Sequence, residues 1–366
     1  MELINETRFV AGWTAGFQQD GREVLVVAVR ATYELQDAAQ LPLAQAQQPV
    51  CSAVIFGPDP ANDAPLREND FALFKPRCDV LLNGSAYAPQ GIPAARVDVG
   101  LQVGAVRKLF SVVGPRLWLG GLGGAAASSP TPFLQQQLSY DVAFGGVDTD
   151  PADPERVSTF LENPAGRGYC VFKPNLQGMP LPFTEERRVP VSDPAGRYRP
   201  MAFGPVGRNW MPRRQYAGTY DAEWVAHKLP FLPDDFDYQY FQAAPSDQQI
   251  PYPQGGEPVI LLNLTPQGRL ETSIPRDGVV VGFIRRQGTW TQARGNCDTI
   301  QIEPDEGRLS LTWRAVCPLE RDPFELREIV VQHSADYTDA RLRARAQRKP
   351  YYENLAELTR ARRGPK

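Results

Sequence analysis

Short stretches in which apolar and polar residues alternate dominate the first part of the chain. From Arg96 to Val103 an apolar side chain recurs at nearly every second position, which is the period of a strand with one buried face. The pattern resumes from Leu109 to Val113 after Gly104, and the two stretches together predict a hairpin with a glycine-containing loop. Glu23 to Leu35 is rich in β-branched residues and predicts a further strand.

Two shorter apolar stretches flank a lysine–proline pair. Phe71 to Phe74 and Asp79 to Leu82 are each long enough for a short strand. Pro76 separates them, and a proline pushes the residue before it towards extended geometry. We therefore predict one strand on each side of Pro76.

The middle of the chain, residues 114–258, is interrupted very often by proline, glycine and aspartate. Few regular elements longer than about six residues are expected there. Between Asn209 and Phe241, however, nine residues are aromatic. Buried aromatic rings remove large apolar areas from water, so they can hold irregular chain against a sheet. This segment is predicted to be long irregular structure that aromatic side chains tie to the strands.

The last third of the chain returns to short strand-like stretches separated by turn residues. They cover residues 259–264, 279–284, 299–302, 309–316 and 328–333. Two helical stretches follow, at 335–347 and 351–362, with Pro350 between them.

These elements define the expected fold class and its domains. The fold is expected to be mainly β, with two packed β-sandwich or barrel-like sheet regions, long irregular connections and a short C-terminal helical tail. A β-rich domain is expected over residues 1–258, a second β-sheet region over 259–334 and a basic helical tail over 335–366.

Composition supports a folded chain with many turns. Of its 366 residues, 42% are apolar and 22% charged, near the average for folded proteins. Glycine and proline number 31 and 35, above their average combined usage of about 12%.

The first residues lack the apolar core of a signal peptide, and no apolar run is long enough to span a bilayer. A cytoplasmic protein without membrane contact is expected, with its five cysteines as buried, reduced thiols.

Charge is unevenly distributed along the chain. The net charge is −3, but residues 336–366 carry nine lysines or arginines and four acidic residues. The tail is therefore basic and the rest of the chain is acidic. Basic side chains can neutralise nucleic acid phosphates, whereas the acidic remainder would repel a polyanion. We expect no nucleic acid partner, and a solvated or protein-binding tail.

The motifs of common enzymes are missing from the sequence. Only His227 and His333 are available for histidine chemistry, and neither has a second ligand at metal-binding spacing. No serine elbow and no phosphate-binding loop of the GxxxxGK[ST] type occur. Residues 121–126 match the glycine pattern of dinucleotide-binding loops. A helix that binds the pyrophosphate should follow this pattern, but Ser-Ser-Pro follows here instead. No catalytic residue, cofactor or metal site is predicted.

Three other interpretations involve acidic or aromatic residues. Asp234, Asp235 or Glu223 could provide the acid and base of a cell-wall hydrolase, since that chemistry needs two carboxyl groups held several ångströms apart. The aromatic residues between Asn209 and Phe241 could instead form a carbohydrate-binding module. The acids at 148–155 could ligate calcium, but the spacing of an EF-hand is absent. Solvated loop acids are the simpler interpretation of both acidic groups.

Several short sequence motifs, which follow one another in a fixed order, resemble those of a known family. They are Lys75-Pro-Arg-Cys-Asp79-Val80, Val97-Asp-Val-Gly100, Lys108, Arg116, Trp118, Leu138-Ser-Tyr-Asp-Val-Ala-Phe-Gly-Gly146, Glu162-Asn-Pro-Ala-Gly166, Trp210-Met-Pro-Arg213, Gly218-Thr-Tyr220-Asp-Ala-Glu-Trp224, Phe236-Asp-Tyr238, Asp247-Gln-Gln249 and Gly255-Gly-Glu257. In this order the motifs resemble those of the family called domain of unknown function 2169, and most of them lie between Phe9 and Leu264. Members of that family occur in bacterial type VI secretion gene clusters.

The resemblance implies an accessory protein that is not an enzyme. It implies an adaptor or chaperone that binds a secreted effector or a spike component, of the VgrG or PAAR type, from the same gene cluster. A partner strand added to an exposed sheet edge is one way to bind it. Candidate contact residues are large aromatics and arginines, which often dominate protein interfaces. They are Arg116, Trp118, Trp210, Arg213, Tyr220 and Trp224. A core role is the alternative for Trp210 and Trp224.

Overall fold

The computed structural model describes residues 1–120, 126–172, 176–352 and 355–363, and the fold is mainly β. The strands of the first part of the chain are β1 (Glu2–Asn5), β2 (Val10–Phe17), β3 (Glu23–Glu34), β4 (Ile55–Phe56), β5 (Pro65–Arg67), β6 (Cys78–Leu82), β7 (Gly84–Tyr87), β8 (Arg96–Val103), β9 (Val106–Val113), β10 (Trp118–Leu119), β11 (Ala126–Ala127) and β12 (Gln135–Leu138). The later strands are β13 (Phe144–Gly145), β14 (Val147–Asp150), β15 (Asp153–Thr159), β16 (Arg167–Gly168), β17 (Thr184–Glu185), β18 (Gln249–Ile250), β19 (Pro258–Leu262), β20 (Arg269–Ser273), β21 (Val279–Arg285), β22 (Trp290–Arg294), β23 (Asn296–Glu303), β24 (Arg308–Pro318) and β25 (Leu326–His333). The helices are α1 (Met211–Arg214), α2 (Ala222–His227), α3 (Asp339–Ala346) and α4 (Leu355–Arg363).

The largest sheet has six strands in the order β18-β6-β23-β24-β3-β2. Two interior strands, β3 and β24, are antiparallel partners over eleven residue pairs from Arg308↔Glu34 to Pro318↔Val24. Both faces of these two strands are buried: β3 is apolar from Val24 to Val29, whereas β24 alternates apolar residues with the buried polar residues Ser310, Thr312 and Arg314. Strand β2 forms one edge of this sheet, and within the described part of the chain its one paired strand is β3.

Two other sheets complete the architecture around one shared core. The five-stranded sheet has the order β17-β9-β8-β19-β20, and the four-stranded sheet has the order β1-β25-β21-β22. Apolar residues from all three sheets belong to one continuous cluster, which includes Val27, Val99, Leu261, Phe283 and Leu311. Smaller two-stranded sheets form in the connections between them.

The boundary expected near residue 258 does not separate the sheets. In the six-stranded sheet, β23 and β24 from the later segment pair with β6 and β3 from the earlier one. In the five-stranded sheet, β19 pairs with β8, and in the four-stranded sheet β25 pairs with β1. The segments 1–258 and 259–334 are therefore interleaved, because strands far apart in sequence satisfy each other's backbone hydrogen bonds.

The predicted mainly β fold is confirmed, and so are most of the predicted strands. The hairpin of β8 and β9 turns at Gly104, whose φ of 55° favours glycine. The predicted strand at Phe71–Phe74 is wrong. This segment lies across β2 instead, with the ring of Phe71 against Gly12 and Leu73 against Gly16. Its apolar side chains cover the sheet without joining the ladder, so their pattern resembles that of a strand.

The middle segment consists of short elements held by aromatic contacts, as predicted. Trp210 packs edge-on against Tyr140, and Phe231 packs edge-on against Phe17 of β2. A separate apolar cluster contains Trp118, Phe144, Phe160, Leu181 and Val191. The glycine-rich pattern of residues 121–126 falls almost entirely outside the described residues.

The basic tail contacts the four-stranded sheet through α3. Leu342 and Ala346 pack with Ile284 and Val330 in a small apolar cluster. Arg345 forms ion pairs of 2.8 Å with both Glu6 and Glu328, and Arg341 forms one of 3.0 Å with Glu6. These pairs lie at or near the surface and are expected to contribute little each, whereas Leu342 is fully buried and anchors α3 through apolar contacts.

Two further expectations concern the membrane and the cysteines. No helix within the described residues combines the length and the apolar character needed to cross a bilayer. All five cysteine side chains are buried, as predicted.

Candidate partner-binding surface

The outer edge of β2 carries backbone groups that point away from the sheet. Gln18 N–H donates to Arg22 O at the turn, and β2 and β3 then pair in an unbroken register from Phe17↔Glu23 to Val10↔Arg30. In this alternation the even-numbered residues of β2 exchange bonds with β3, whereas the odd-numbered residues direct their N–H and C=O groups outwards. Those residues are Ala11, Trp13, Ala15 and Phe17. Among the described residues, no partner is found for their N–H groups.

The side chains on this edge are apolar and accessible. Trp13 is 40% exposed and Phe17 is 46% exposed. The eight residues of β2 include no charge and no proline, although charge and proline are the usual devices that prevent an edge strand from pairing with another chain. An exposed and uncharged edge of this length is suited to pairing with a strand of another protein.

A loop and short helix extend the apolar surface beyond the end of β2. Asp221 caps α2 by accepting a hydrogen bond of 2.9 Å from the backbone N–H of Trp224. The Trp224 indole donates to Phe231 O at 2.9 Å, and the Phe231 ring contacts Phe17. Gln19, just after β2, donates to the carbonyls of Pro233 and Asp234 at 2.7 Å. The loop is therefore attached to the edge strand at several points.

Large apolar side chains on this loop remain exposed. Val225 is 57% exposed and Leu229 is 58% exposed. Tyr220 is also exposed, and its ring packs edge-on against Trp224 at 4.7 Å. We refer to the exposed apolar residues of strand and loop together as the edge surface. It consists of Trp13, Ala15, Phe17, Tyr220, Val225 and Leu229. Exposed apolar groups gathered in this way are typical of interaction sites.

Arg116 and Trp118, two of the six candidate contact residues, lie in the interior. Arg116 forms an ion pair of 2.6 Å with Glu185, which also pairs with Arg96 at 2.7 Å. The same carboxylate also accepts a hydrogen bond from the backbone N–H of Val191, so both of its oxygens have partners within the protein. Trp118 is completely buried in its aromatic cluster. Neither side chain offers a surface to a partner.

Trp210 and Arg213 are also buried, next to each other around α1. Arg213 donates to Tyr240 O at 2.9 Å and to Val206 O at 3.0 Å, and it pairs with Glu68 at 2.5 Å. Burial alone would raise the pKa of Glu68, but the charges of Arg213 and Arg208 outweigh this effect and lower it to about 2. The arginine therefore anchors the middle segment, and Trp210 takes the core role that was the alternative for it.

Tyr220 and Trp224 are the two candidates that the structure brings together at the surface. Sequence reasoning missed Trp13 and Phe17, which lie beside the same loop. Their signal was the alternation of Trp13, Ala15 and Phe17 with small residues between them, which is the period of a strand. That pattern predicts β2 but cannot show that β2 is an edge.

The acids considered for hydrolysis have local structural partners. Asp234 pairs with Lys228 at 2.6 Å. Asp235 accepts hydrogen bonds from the N–H and the hydroxyl of Thr219, and these bonds lower its pKa. Asp237 caps a short 3-10 turn through the N–H of Gln239. These contacts favour the interpretation as loop acids that shape the segment carrying the edge surface.

The acids considered for calcium are also engaged with the protein. Asp148 is buried and accepts hydrogen bonds from the N–H groups of Val171 and Phe172 at 2.8 and 2.7 Å. Asp150 pairs with Arg156 at 3.2 Å. Over the described ranges, no three His, Cys, Asp or Glu side chains are grouped as ligands for a metal ion.

Comparison with known proteins gives one family. The family model described as "Uncharacterized protein conserved in bacteria (DUF2169)" matches residues 20–314. No curated protein and no solved structure matches the chain significantly. The match includes the α2 loop, β3 and the first part of β24, while β2 and the basic tail lie outside it. Since the matched segment covers most of the chain, this protein belongs to the DUF2169 family.

Proposed function

We propose that this protein is an adaptor or chaperone of a type VI secretion cluster. It binds a secreted effector or a spike component, of the VgrG or PAAR type, encoded in the same gene cluster. The link to secretion rests on the family resemblance in the sequence. The binding mode rests on the edge surface, where apolar side chains lie beside outward backbone donors and acceptors of β2.

The single observation that carries the proposal is the unprotected edge of β2. A partner strand laid beside it would meet the N–H and C=O groups of Ala11, Trp13, Ala15 and Phe17 in register. Each such hydrogen bond contributes roughly 0.5–1.5 kcal/mol net. The side chains of Trp13 and Phe17 would then pack against alternate residues of the added strand, which gives the interface its specificity. A client with an exposed strand would be shielded from aggregation in the same way.

In this proposal the protein acts in the cytoplasm by binding another protein. It catalyses no reaction, and it binds neither nucleic acid nor a membrane. The charge distribution supports the exclusion of nucleic acid. In the tail, Arg341 and Arg345 already pair with Glu6, so these guanidinium groups are engaged with acids of the same chain. Outside the tail the chain is acidic, and it would repel phosphates.

The test is co-purification with a pair of variants at one position. The chain is expressed with the product of each neighbouring gene, and the retained products are identified after purification. Ala15→Pro removes one outward N–H without removing a bond to β3, because the N–H of Ala15 points away from the sheet. Ala15→Thr keeps that N–H and has good strand propensity, so it is the matched control. We expect the wild type and Ala15→Thr to retain the same partner, and Ala15→Pro to lose it.

Two results would contradict the proposal in different ways. If no effector or spike protein is retained by the wild type, the secretion role is wrong. If a partner is retained equally by Ala15→Pro and by a Trp13→Lys, Phe17→Lys double variant, the partner binds elsewhere on the protein. Urea unfolding of each variant checks that the fold is intact.

A further inference from the structure

A cleft lies between β9, α1 and the two 3-10 turns at Tyr140–Val142 and Ser246–Gln248. Its volume is about 260 Å³. The charged and phenolic residues that matter here are Lys108, Tyr140, Arg199, Arg213 and Asp247. None of the residues of the edge surface lines it. Four of these five residues belong to the sequence motifs that resemble the family. The proposed adaptor function makes no use of the cleft.

Lys108 is the unusual residue of this cleft because a buried lysine needs compensation for its lost hydration. Only 6% of the residue is exposed. Its Nζ donates to Gln248 Oε1 at 2.7 Å and, at a longer distance of 3.4 Å, to Asp247 Oδ1. An ammonium group has three donors, and these contacts use two of them. One donor of a buried cation is left for a ligand.

Two other buried side chains also have unused polar atoms. Arg213 uses Nε and Nη1 for Tyr240, Val206 and Glu68, while no acceptor among the described residues bonds to its Nη2. Tyr140 is 4% exposed, and its hydroxyl has no hydrogen-bond partner among the described residues. The three side chains are buried and line the same cleft, so their remaining donors are available to an acceptor bound there.

The charges around the cleft indicate the kind of acceptor. Lys108, Arg199 and Arg213 are cationic, whereas Glu162 and Asp247 are anionic, so the lining carries one net positive charge. Asp247 is held close by Arg199 at 2.7 Å and would oppose a ligand with two negative charges. A carboxylate carries a single charge and has two oxygens that can accept from several donors at once.

We propose that this cleft binds a carboxylate group, with Lys108, Arg213 and Tyr140 as its donors. The carboxylate is either that of a small organic acid or the C-terminal carboxylate of a polypeptide. The cleft is somewhat smaller than a pocket for a drug-sized ligand, so it accepts the end of a chain or a molecule of similar size. The partner that binds the edge surface is not required for this binding.

The ionisation of Lys108 adds a dependence on pH. Burial lowers its pKa to about 8, with Arg199 acting in the same direction and Asp247 in the opposite one. A bound carboxylate favours the charged form and raises this pKa. Binding is therefore strongest while Lys108 is protonated, and it weakens as the pH rises through about 8. Glu162 and Asp247 also line the cleft, and their carboxylates repel a bound anion.

Calorimetric titration at neutral pH with four probes tests the cleft and distinguishes the two sources. The probes are acetate, inorganic phosphate, trialanine with a free C-terminus and the same peptide with an amidated C-terminus. If the source is a polypeptide, free trialanine binds at least about tenfold more tightly than acetate, and the amide does not bind. Equal binding of acetate and free trialanine assigns the cleft to a small organic acid. Binding of inorganic phosphate alone, or of no probe at millimolar concentration, overturns the proposal.

Two variants connect binding to the cleft. Tyr140→Phe removes only a hydroxyl that has no partner among the described residues, so it should weaken probe binding about tenfold without lowering the urea midpoint. Lys108→Met removes the buried charge at similar size and should abolish both binding and its dependence on pH. If Tyr140→Phe binds like the wild type and Lys108→Met retains the pH dependence, the carboxylate does not bind here.

Discussion

The ring of Phe17, the last residue of β2, lies edge-on against the ring of Phe231, with the ring centroids 5.4 Å apart. This contact joins the edge of the six-stranded sheet to the loop that carries Tyr220, Val225 and Leu229. This aromatic pair and the hydrogen bonds of Gln19 therefore hold the loop beside the strand.

The first prediction concerns the coupling between these two rings. Phe17→Ala and Phe231→Ala should each lower the free energy of unfolding, and the double variant should lose less than the sum of the two. The expected coupling is about 0.5–1.5 kcal/mol, as for other aromatic pairs in this arrangement. Urea unfolding of the four proteins of the cycle measures it. Strict additivity would show that the rings do not stabilise each other.

The second prediction is a loss of stability in acid that depends on Glu68. Its pKa is about 2 in the folded protein, compared with an ordinary value of 4.5, so its ionisation stabilises the fold above about 4.5. This contribution, roughly 3 kcal/mol, is lost as the pH falls from about 4.5 towards 2. Urea midpoints across this range should fall more steeply for the wild type than for Glu68→Gln. Parallel curves would contradict the role of Glu68.

The third prediction concerns the buried ion pair between Arg116 and Glu185. Glu185→Gln keeps the shape of the side chain but leaves Arg116 without a counter-ion, which should cost about 3–5 kcal/mol of stability. Arg187→Ala is the control, since the ion pair of Arg187 with Asp98 is much more exposed than that of Arg116 and should contribute about 0–1 kcal/mol. Chemical unfolding compares the two. Equal effects would mean that burial does not matter at this site.

The fourth prediction concerns the docking of the basic tail. Leu342 is 1% exposed and packs where Gly282 leaves room for its side chain. Leu342→Ala should release α3, so trypsin should cleave the tail faster while the sheets remain resistant. Ala340→Ser changes an exposed position of the same helix and should leave the cleavage rate unchanged. Equal cleavage in all three proteins would show that Leu342 does not hold the tail.

The strands of this fold could be predicted to a large extent from the sequence. Strands β8 and β24 were predictable because their periodicity and β-branched or apolar residues are local properties. The missed element at Phe71–Phe74 shows the limit of this reasoning. Apolar residues that cover a sheet from outside have the same local pattern as residues that pair within it.

The candidate sites could be predicted only in part. Tyr220 and Trp224 were recognised from their segment, but the exposure of Trp13 and Phe17 depends on which strand lies at the edge. The cleft was not predicted at all, since Lys108 and Asp247 are 139 residues apart in sequence.

The sequence by itself determined the class of fold, the positions of most strands and the family resemblance, because these follow from short-range patterns of residue type. Only the tertiary structure decided which strand is an edge and which arginines are buried. Arg116 and Glu185 are 69 residues apart, and β3 and β24 lie at opposite ends of the chain. Exposure and charge pairing depend on contacts between such distant segments, and local sequence does not encode which segments meet.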